Sequence, residues 1–577
     1  MVFHPPSWVP KLPLDPPDSI TIAEFMTNPA HGRHPIEKSR NPFTCGLTGK
    51  TFTLAQVSSR YESLARAIGK RLGWQVNEET EWDKVACMFS FNTIDYMTVA
   101  YAIHRLNGIV TPANAAYSAP ELTHQLKSSG ARALFVGVPQ LQVGLEAAKA
   151  AGLAKNKIWI MGMPGFEVAD GFVSVEDLIG EGAKLPKLDA LQWARGQGAR
   201  QVSFLCYSSG TSGLPKAVMI SHVNIIANTM QYAVHETYGR KNFGVDTQSV
   251  LGLLPFSHIY GLVVVAHGNV WRGDEVVVLP KFEMPTFLKA IERFKLNQLY
   301  LVPPIVIRMT RSPDECKRYN LDSVRVIFCG AAPLGEETIQ DMVKLFPKWR
   351  VAQGYGMTEL STIVISSSEH DILNKSSGSL CPATKAKVVG LDGKEITQYD
   401  TPGELWIQSP SAALGYLNNQ KATAETFVHD DSGRWVKTGD EAVVTLAPSG
   451  NEHIVIVDRI KELIKVKGHQ VAPAELEAHL LSHPAVGDCA VIQVPDERSG
   501  EVPKAFVVKA AAFADKAEEE VVRSILKHVE EHKAPYKWIK GGIEFVDEVP
   551  KSPSGKILRR LLRDKEKASR AHKGPRL

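Results

Sequence analysis

Apolar residues recur along this chain with two periods. Leu54, Val57, Tyr61, Leu64, Ala65, Ile68 and Leu72 follow helical spacing and predict one amphipathic helix. Short apolar runs read instead as buried strands: VACMFSF after Trp82-Asp83, ALFVG from Ala133 and IWIMG from Ile158, with a helix between the last two. LCY near Cys206, EVVVL near Val277, LYLV near Leu299 and VRVIFCG near Val326 continue the series. Strands alternating with helices imply parallel sheets covered by helices. The uncharged stretch from Val250 to Trp271 is broken by Pro255, His258 and His267. It predicts a buried strand (LGLLPF), a loop and a helix (GLVVVAHGNVW), because a membrane span needs about 20 mostly apolar residues.

From about Gly378 to Ile456 the texture changes to short strands and turns, as in GELWIQSP and NEHIVIVD. From Asp458 the α/β pattern returns: a helix over Pro473–Leu481, a strand over Cys489–Val494, a helix over Ala517–His532 and a strand near Ile543–Phe545. The expected fold class is α/β. A large N-terminal lobe of helix-covered parallel sheets, with a small β-rich subdomain, spans 1–457, and a small α+β C-terminal domain spans 458–577.

Composition narrows function little. The 577 residues carry 66 Lys and Arg against 62 Asp and Glu, a net charge of +4, so no overall field draws the chain to nucleic acid or membrane. With 44% apolar and 22% charged residues it is neither a disordered chain nor a coiled coil. Seven scattered cysteines without a CxxC pair read as buried free thiols, not as a disulfide framework or zinc site. The N-terminus lacks the basic and apolar regions of a secretory signal. The final Pro575-Arg576-Leu577 reads in two ways. It is either an ordinary basic tail of a cytoplasmic protein or a variant of the S-K-L address, bound by a peroxisomal import receptor.

Five segments carry chemistry. Tyr207-Ser208-Ser209-Gly210-Thr211-Ser212-Gly213-Leu214-Pro215-Lys216 follows a buried strand. Its dense glycines and hydroxyls expose N–H and O–H donors suited to phosphate oxygens, and Lys216 adds a cation. Gly213 and Lys216 are too far apart for a Walker A loop. Gln353-Gly354-Tyr355-Gly356-Met357-Thr358-Glu359 offers an aromatic between glycines for a purine face, with a hydroxyl and a carboxylate suited to phosphate and Mg²⁺. Thr438-Gly439-Asp440 sets a carboxylate in a tight turn, where it can accept both hydroxyls of a ribose. Asp458 to Val471, DRIKELIKVKGHQV, is rich in basic residues where the texture changes. Pro550 to Arg559, PKSPSGKILR, puts one lysine after a Ser-Gly turn, and α-phosphoryl chemistry needs a movable cation.

In this order, from about Leu47 to Arg560, these segments resemble the adenylate-forming superfamily of acyl-CoA synthetases, adenylation domains and luciferases. LLPFSHIYGL, GAAPLG and KELIKVKGHQVAPAELE look most like 4-coumarate–CoA ligases. CGLTG, ANAAYS, ELTHQL and KSPSGKILRR look like fungal phenylacetate–CoA ligases. The resemblance implies that a carboxylate attacks the α-phosphorus of Mg·ATP, giving acyl-AMP and pyrophosphate, and that the CoA thiol then displaces AMP. Ser208, Ser209, Gly210, Thr211, Ser212, Gly213 and Lys216 match the phosphate loop. Ala217 stands where that loop often has glycine. Thr358 and Glu359 match the AMP-phosphate and Mg²⁺ positions. Tyr355, within Gly354 and Gly356, matches the adenine-stacking aromatic, with Ala332 opposite, and Asp440 and Arg459 match the ribose contacts. Lys556 matches the adenylation lysine and Lys461 the hinge, expected at 458–461. Lys465, Lys467, Gly468 and Gln470 match the face used in thioester formation. His258 matches the residue beside the acyl pocket, and Tyr260 a pocket wall beside Gly330 and Ala331.

Lys465 and Lys556 cannot act at once, and the resemblance implies rotation of the C-terminal domain between two closed states. The segments expected around the acyl group, His258–Gly261, Val302–Met309, Gly330–Pro333, Gly354 and Thr358–Val364, are apolar and small. Arg308 is the one cation among them placed to meet a second carboxylate. An aryl-alkanoic, cinnamic or medium-chain fatty acid fits. A stand-alone adenylation enzyme loading a carrier-protein thiol, a luciferase-like oxygenase and a nucleic-acid-binding protein using the basic tail are the competing readings.

Overall fold

A computed structural model describes residues 1–208, 215–390, 392–467, 469–552 and 555–573. The expected phosphate-loop residues Ser209, Gly210, Thr211, Ser212 and Gly213, together with Gly468 and the Pro575-Arg576-Leu577 tail, lie outside the described residues.

Two large sheets form the N-terminal lobe. In the first, strands Val85–Phe89, Ile109–Ala113, Ala133–Gly137 and Ile158–Met161 run parallel, and Val202–Ser208 joins them beside Ile109–Ala113. In the second, Phe43–Cys45, Ser249–Gly252, Glu275–Val278, Gln298–Leu301, Val326–Cys329 and the start of Arg350–Met357 run parallel. The helix-covered parallel sheets expected from the strand runs are therefore present. The helix over Leu54–Leu72 has the limits its periodicity gave. Thr53 and Gln56 form a reciprocal capping box at its start, and Gly73 closes it in the left-handed conformation.

Helix His222–Asn242 lies buried against the strand Thr362–Ser366 and the turns Tyr260–Gly268. Its polar residues are satisfied inside the protein: Asn228 donates to the Ile363 carbonyl at 2.6 Å, and Gln231 donates to the Pro382 carbonyl at 2.8 Å.

The stretch from Val250 to Trp271 differs from its expected form. The strand stops at Gly252, and Leu253–His258 is a loop pinned by Asn92, whose amide donates to the carbonyls of Gly252 and Leu254 and accepts from Phe256 N–H. Tyr260–Gly268 then winds as a π-helix. Two side chains also bond carbonyls five residues back: His267 Nδ1 meets the Leu262 carbonyl at 2.6 Å, and Asn269 Nδ2, just past the helix, the Val264 carbonyl at 3.0 Å. At Gly261 a Cβ would stand 2.3 Å from the Pro255 carbonyl oxygen, so only glycine lets this helix leave the loop.

The β-rich lobe is a five-stranded antiparallel sheet of Lys385–Val389, Gly403–Gln408, Phe427–Asp430, Gly433–Leu446 and Glu452–Arg459. The C-terminal part has its own sheet and core. Ile464, Val471, Leu476, Val491, Val507, Ile525 and Val529 cluster apart from the large core. Its helices Pro473–Leu481 and Glu518–His532 follow the periodicity closely. The strand ending at Arg459 takes in the first two residues of the expected hinge. Asp458 also accepts from Ala474 N–H at 2.9 Å, so it caps the first C-terminal helix. All seven cysteines are buried free thiols. Among the described residues no helix is long and apolar enough to cross a membrane.

Candidate active site

The cleft lies where strands of the second sheet end, the usual place for ligands in parallel α/β sheets. Strand Val326–Cys329 delivers Gly330, Ala331 and Ala332. Ala331 is held at φ 71, a left-handed conformation an alanine rarely adopts, and Leu334 N–H ties this turn to Gln353 at 3.0 Å. Strand Arg350–Met357 switches to antiparallel pairing and bulges between Tyr355 and Gly356. Added Cβ atoms would meet the Phe328 ring at 2.7 Å from Gly354 and the Thr362 carbonyl oxygen at 1.6 Å from Gly356, so both positions exclude a side chain.

The structure joins the expected base and ribose residues. Tyr355 donates its hydroxyl to Asp440 Oδ2 at 2.6 Å, and Arg459 Nε lies 3.5 Å from Asp440 Oδ1. Burial raises the Asp440 carboxyl, against the pull of Arg459 and the Tyr355 hydrogen bond. Thr358 begins the turn that carries Glu359. The Glu359 carboxylate, 6% exposed, accepts from Tyr416 at 2.7 Å, and Lys216 stands over the Tyr416 ring at 5.1 Å. Ser208 pairs with Lys216 across the antiparallel strands, on either side of residues 209–214, where the phosphate loop is expected. Ala217 sits in that second strand, where its methyl is accommodated.

Lys556 reaches this cleft from the C-terminal domain. Its turn is closed by Gly555 N–H on the Ser552 carbonyl at 2.8 Å, and Gly555 packs on Val302 and Pro304. Lys556 shares the cleft electrostatically with Arg459, Asp440, Glu359 and Glu462, and with His258. Burial, and next Arg459, bring its ammonium down to about 8. His258 is pushed down to about 4 by burial and then by Lys556; its Nδ1 accepts from Tyr260 N–H at 3.3 Å, which leaves an Nε2–H donor.

Lys465, Lys467 and Gln470 are not in the cleft. They are exposed on the hairpin Ile464–Val466/His469–Val471, Lys465 opposite Gln470, with Lys467 left-handed at φ 49. Lys461 is exposed beyond the strand end. Tyr260 donates to the Phe328 carbonyl at 3.1 Å, and its ring occupies the space a Cβ on Gly330 would enter, 2.9 Å away. Arg308 is half exposed and turned to Ser312 and Glu315. Two contributors, Tyr416 and Asn92, lie in no sequence motif, and Glu462 lies in the Asp458–Val471 segment without a role of its own there. Only Asn92 had a signal, its place just past a parallel strand.

A cleft with a buried carboxylate, a Tyr–Asp–Arg set and a lysine from a second small domain is the arrangement expected of a nucleotide-activating, adenylate-forming enzyme. The family model for AMP-binding enzymes matches residues 34–417, and the model for the AMP-binding enzyme C-terminal domain matches 475–556. The chain belongs to this family and is an AMP-forming acid–thiol ligase. It is similar to acyl-CoA ligase easD of Emericella nidulans, 39% identical over 98% of this chain and 100% of that protein. It is also similar to acyl-CoA ligase AFT1-1 of Alternaria alternata, 40% identical over 99% of this chain and 98% of that protein. The crystal structure of the anthranilate CoA ligase AuaEII in complex with anthranoyl-AMP shares the fold, with TM-score 0.79 and 24% identity over 95% of this chain and 98% of that one.

Proposed function

We propose that this ligase activates an aryl-alkanoic, cinnamic or medium-chain monocarboxylic acid as its acyl-AMP and transfers the acyl group to CoA. The observation that carries this reading is that Lys556, from the C-terminal domain, acts electrostatically on the buried Asp440 and Glu359, next to the apolar ring cluster of Tyr260, Tyr300 and Phe328, whose centroids stand 6.0–6.4 Å apart. Arg308, engaged with Ser312 and Glu315, leaves no cation for a second carboxylate among the described pocket segments. The relatives named acyl-CoA ligases support CoA as the thiol.

In this reading the chain's own groups divide the work of charge and position. Asp440 accepts from the ribose. Lys556 bridges the α-phosphate and the acid carboxylate, and the His258 Nε2–H orients that carboxylate. The Glu359 carboxylate, buried with one hydrogen bond among the described residues, fits a hard cation such as Mg²⁺, which supplies charge neutralisation on the phosphates. The direct test is a panel of carboxylic acids assayed for AMP release and for thioester formation with free CoA. Thioester on a carrier protein but not on CoA would move the enzyme to the carrier-loading class.

Two further outcomes follow. Lys556 must be charged to act, and its lowered pKa means the charge is present below about 8 and lost above it. The kcat/KM for acyl-AMP formation, which reports free-enzyme groups, therefore falls as pH rises through about 8. Lys556→Arg keeps its charge and moves that limb up; an unmoved limb removes Lys556 as its source. Gly330→Ala should lower kcat/KM for the bulkiest accepted acid by about 1–3 kcal/mol while sparing the smallest, because the new methyl crowds the Tyr260 ring. An equal loss across the panel would place Gly330 outside the acyl pocket.

A further inference from the structure

Four imidazoles gather in the C-terminal domain, away from the cleft groups. His479 lies on helix Pro473–Leu481 and His483 just beyond it; His528 and His532 lie on helix Glu518–His532. Both pairs are spaced i, i+4, which puts each pair on one side of its segment. His528 is the hub. Its ring stacks on His479 at 4.3 Å with an interplanar angle of 6°, and lies 5.3 Å from His483 and 5.1 Å from His532. One ring nitrogen from each of His479, His528 and His532 lies within 4.8 Å of the others.

His483 is already committed. Its Nδ1 accepts from Ala485 N–H at 3.2 Å, so its Nε2–H donates to Ser524 Oγ at 2.8 Å. The other three each keep a lone pair. His479 Nε2 and His532 Nδ1 donate to the His528 carbonyl at 3.3 and 2.8 Å. Ser482 Oγ donates to the His479 carbonyl at 2.7 Å and so accepts from His528 Nε2 at 3.1 Å. An imidazole whose second nitrogen is held by a carbonyl or hydroxyl is the usual form of a metal ligand.

The surrounding charge is compatible with a cation. Lys533 faces His479 but is paired with Glu475 at 3.1 Å, and Glu531 and Glu337 face His528. Glu337 belongs to the N-terminal lobe, beside Gly335, whose added Cβ would stand 2.9 Å from Ala478. The cluster thus sits on the seam between the lobe and the C-terminal domain.

We propose that His479, His528 and His532 form a binding site for a divalent transition cation of the zinc class on this seam. Zinc–nitrogen bonds of about 2.0–2.1 Å need the nitrogens roughly 3.4 Å apart. Binding therefore requires rotation about the side-chain bonds that opens the His479–His528 stack, because the in-plane lone pairs of parallel rings do not meet at one ion. Imidazole suits Zn²⁺, Ni²⁺ and Cu²⁺ and disfavours Mg²⁺, so the site is chemically distinct from the carboxylate in the cleft.

The experiment is titration of the full chain, purified without a histidine tag and free of nucleotide, with Zn²⁺ by calorimetry and with Co²⁺ by visible absorption. One equivalent should bind with micromolar affinity or tighter, and bound Co²⁺ should show the absorption of a nitrogen-ligated ion. His528→Gln with His532→Gln should weaken binding about tenfold or more. AMP release without added zinc should stay at the wild-type level, which shows the variant folded. His479→Gln alone should weaken binding as well. Absence of one-equivalent binding, or equal binding by the variants, overturns the site.

Discussion

Replacing Lys556 by alanine is expected to slow acyl-AMP formation about 10²–10³-fold, the loss typical of removing one preorganised charge from a transition state. The same variant should convert supplied acyl-AMP to thioester within about threefold of the wild-type rate. The asymmetry follows from where the lysines stand. Lys556 shares a buried cleft with Asp440, Glu359 and Arg459, while Lys465 is exposed on its hairpin. One rigid arrangement cannot bring both to the same phosphate. Asp458 capping the helix at Ala474, and Gly555 seated on Val302, are contacts that a domain rotation has to break. Pyrophosphate release measures the first half-reaction, and thioester formation from purified acyl-AMP the second. Equal loss in both, in a folded variant, would rule out two working states.

Glu359→Gln is expected to cost adenylation a comparable 10²–10³-fold with little change in stability. The amide oxygen can still accept from the Tyr416 hydroxyl, now 2.7 Å from the carboxylate, so no buried donor is orphaned. What is lost is the negative charge that, in the proposed reading, would hold a hard cation. Glu359→Ala would confuse the two effects, because it strands the Tyr416 hydroxyl as well. ATP–pyrophosphate exchange measured across Mg²⁺ concentrations checks this: the variant should recover part of its rate as Mg²⁺ rises. Exchange within about fivefold of wild type at ordinary Mg²⁺ would remove Glu359 from the metal's coordination.

Periodicity served well where one face of an element is buried and one is wet. The helix Leu54–Leu72 has an apolar stripe, a Thr53–Gln56 capping box at its start and Gly73 at its end, and its limits are local facts. Helix His222–Asn242 has no such stripe, because it is buried with its asparagines and glutamine bonded to distant carbonyls, and nothing in its sequence marks it as core. The π-helix at Tyr260–Gly268 was equally hidden. An apolar run fits any helical winding, and what surrounds this one, the Asn92-pinned loop before it and the buried helix His222–Asn242 beside it, is brought there by distant parts of the chain.

The sequence alone determined which chemical groups are present and their order: a hydroxyl- and glycine-rich loop, an aromatic between glycines, a carboxylate in a Thr-Gly-Asp turn, and a lysine after a Ser-Gly turn. Those are properties of neighbouring residues. The tertiary structure decided which of them act together. Tyr355 meets Asp440 across 85 positions, Tyr416 meets Glu359 across 57, and Lys556 enters the cleft while Lys465 stays outside it. The physical reason is desolvation. A lysine at about 8 and a histidine at about 4 owe those values first to burial by segments hundreds of residues away, and no local pattern encodes that burial.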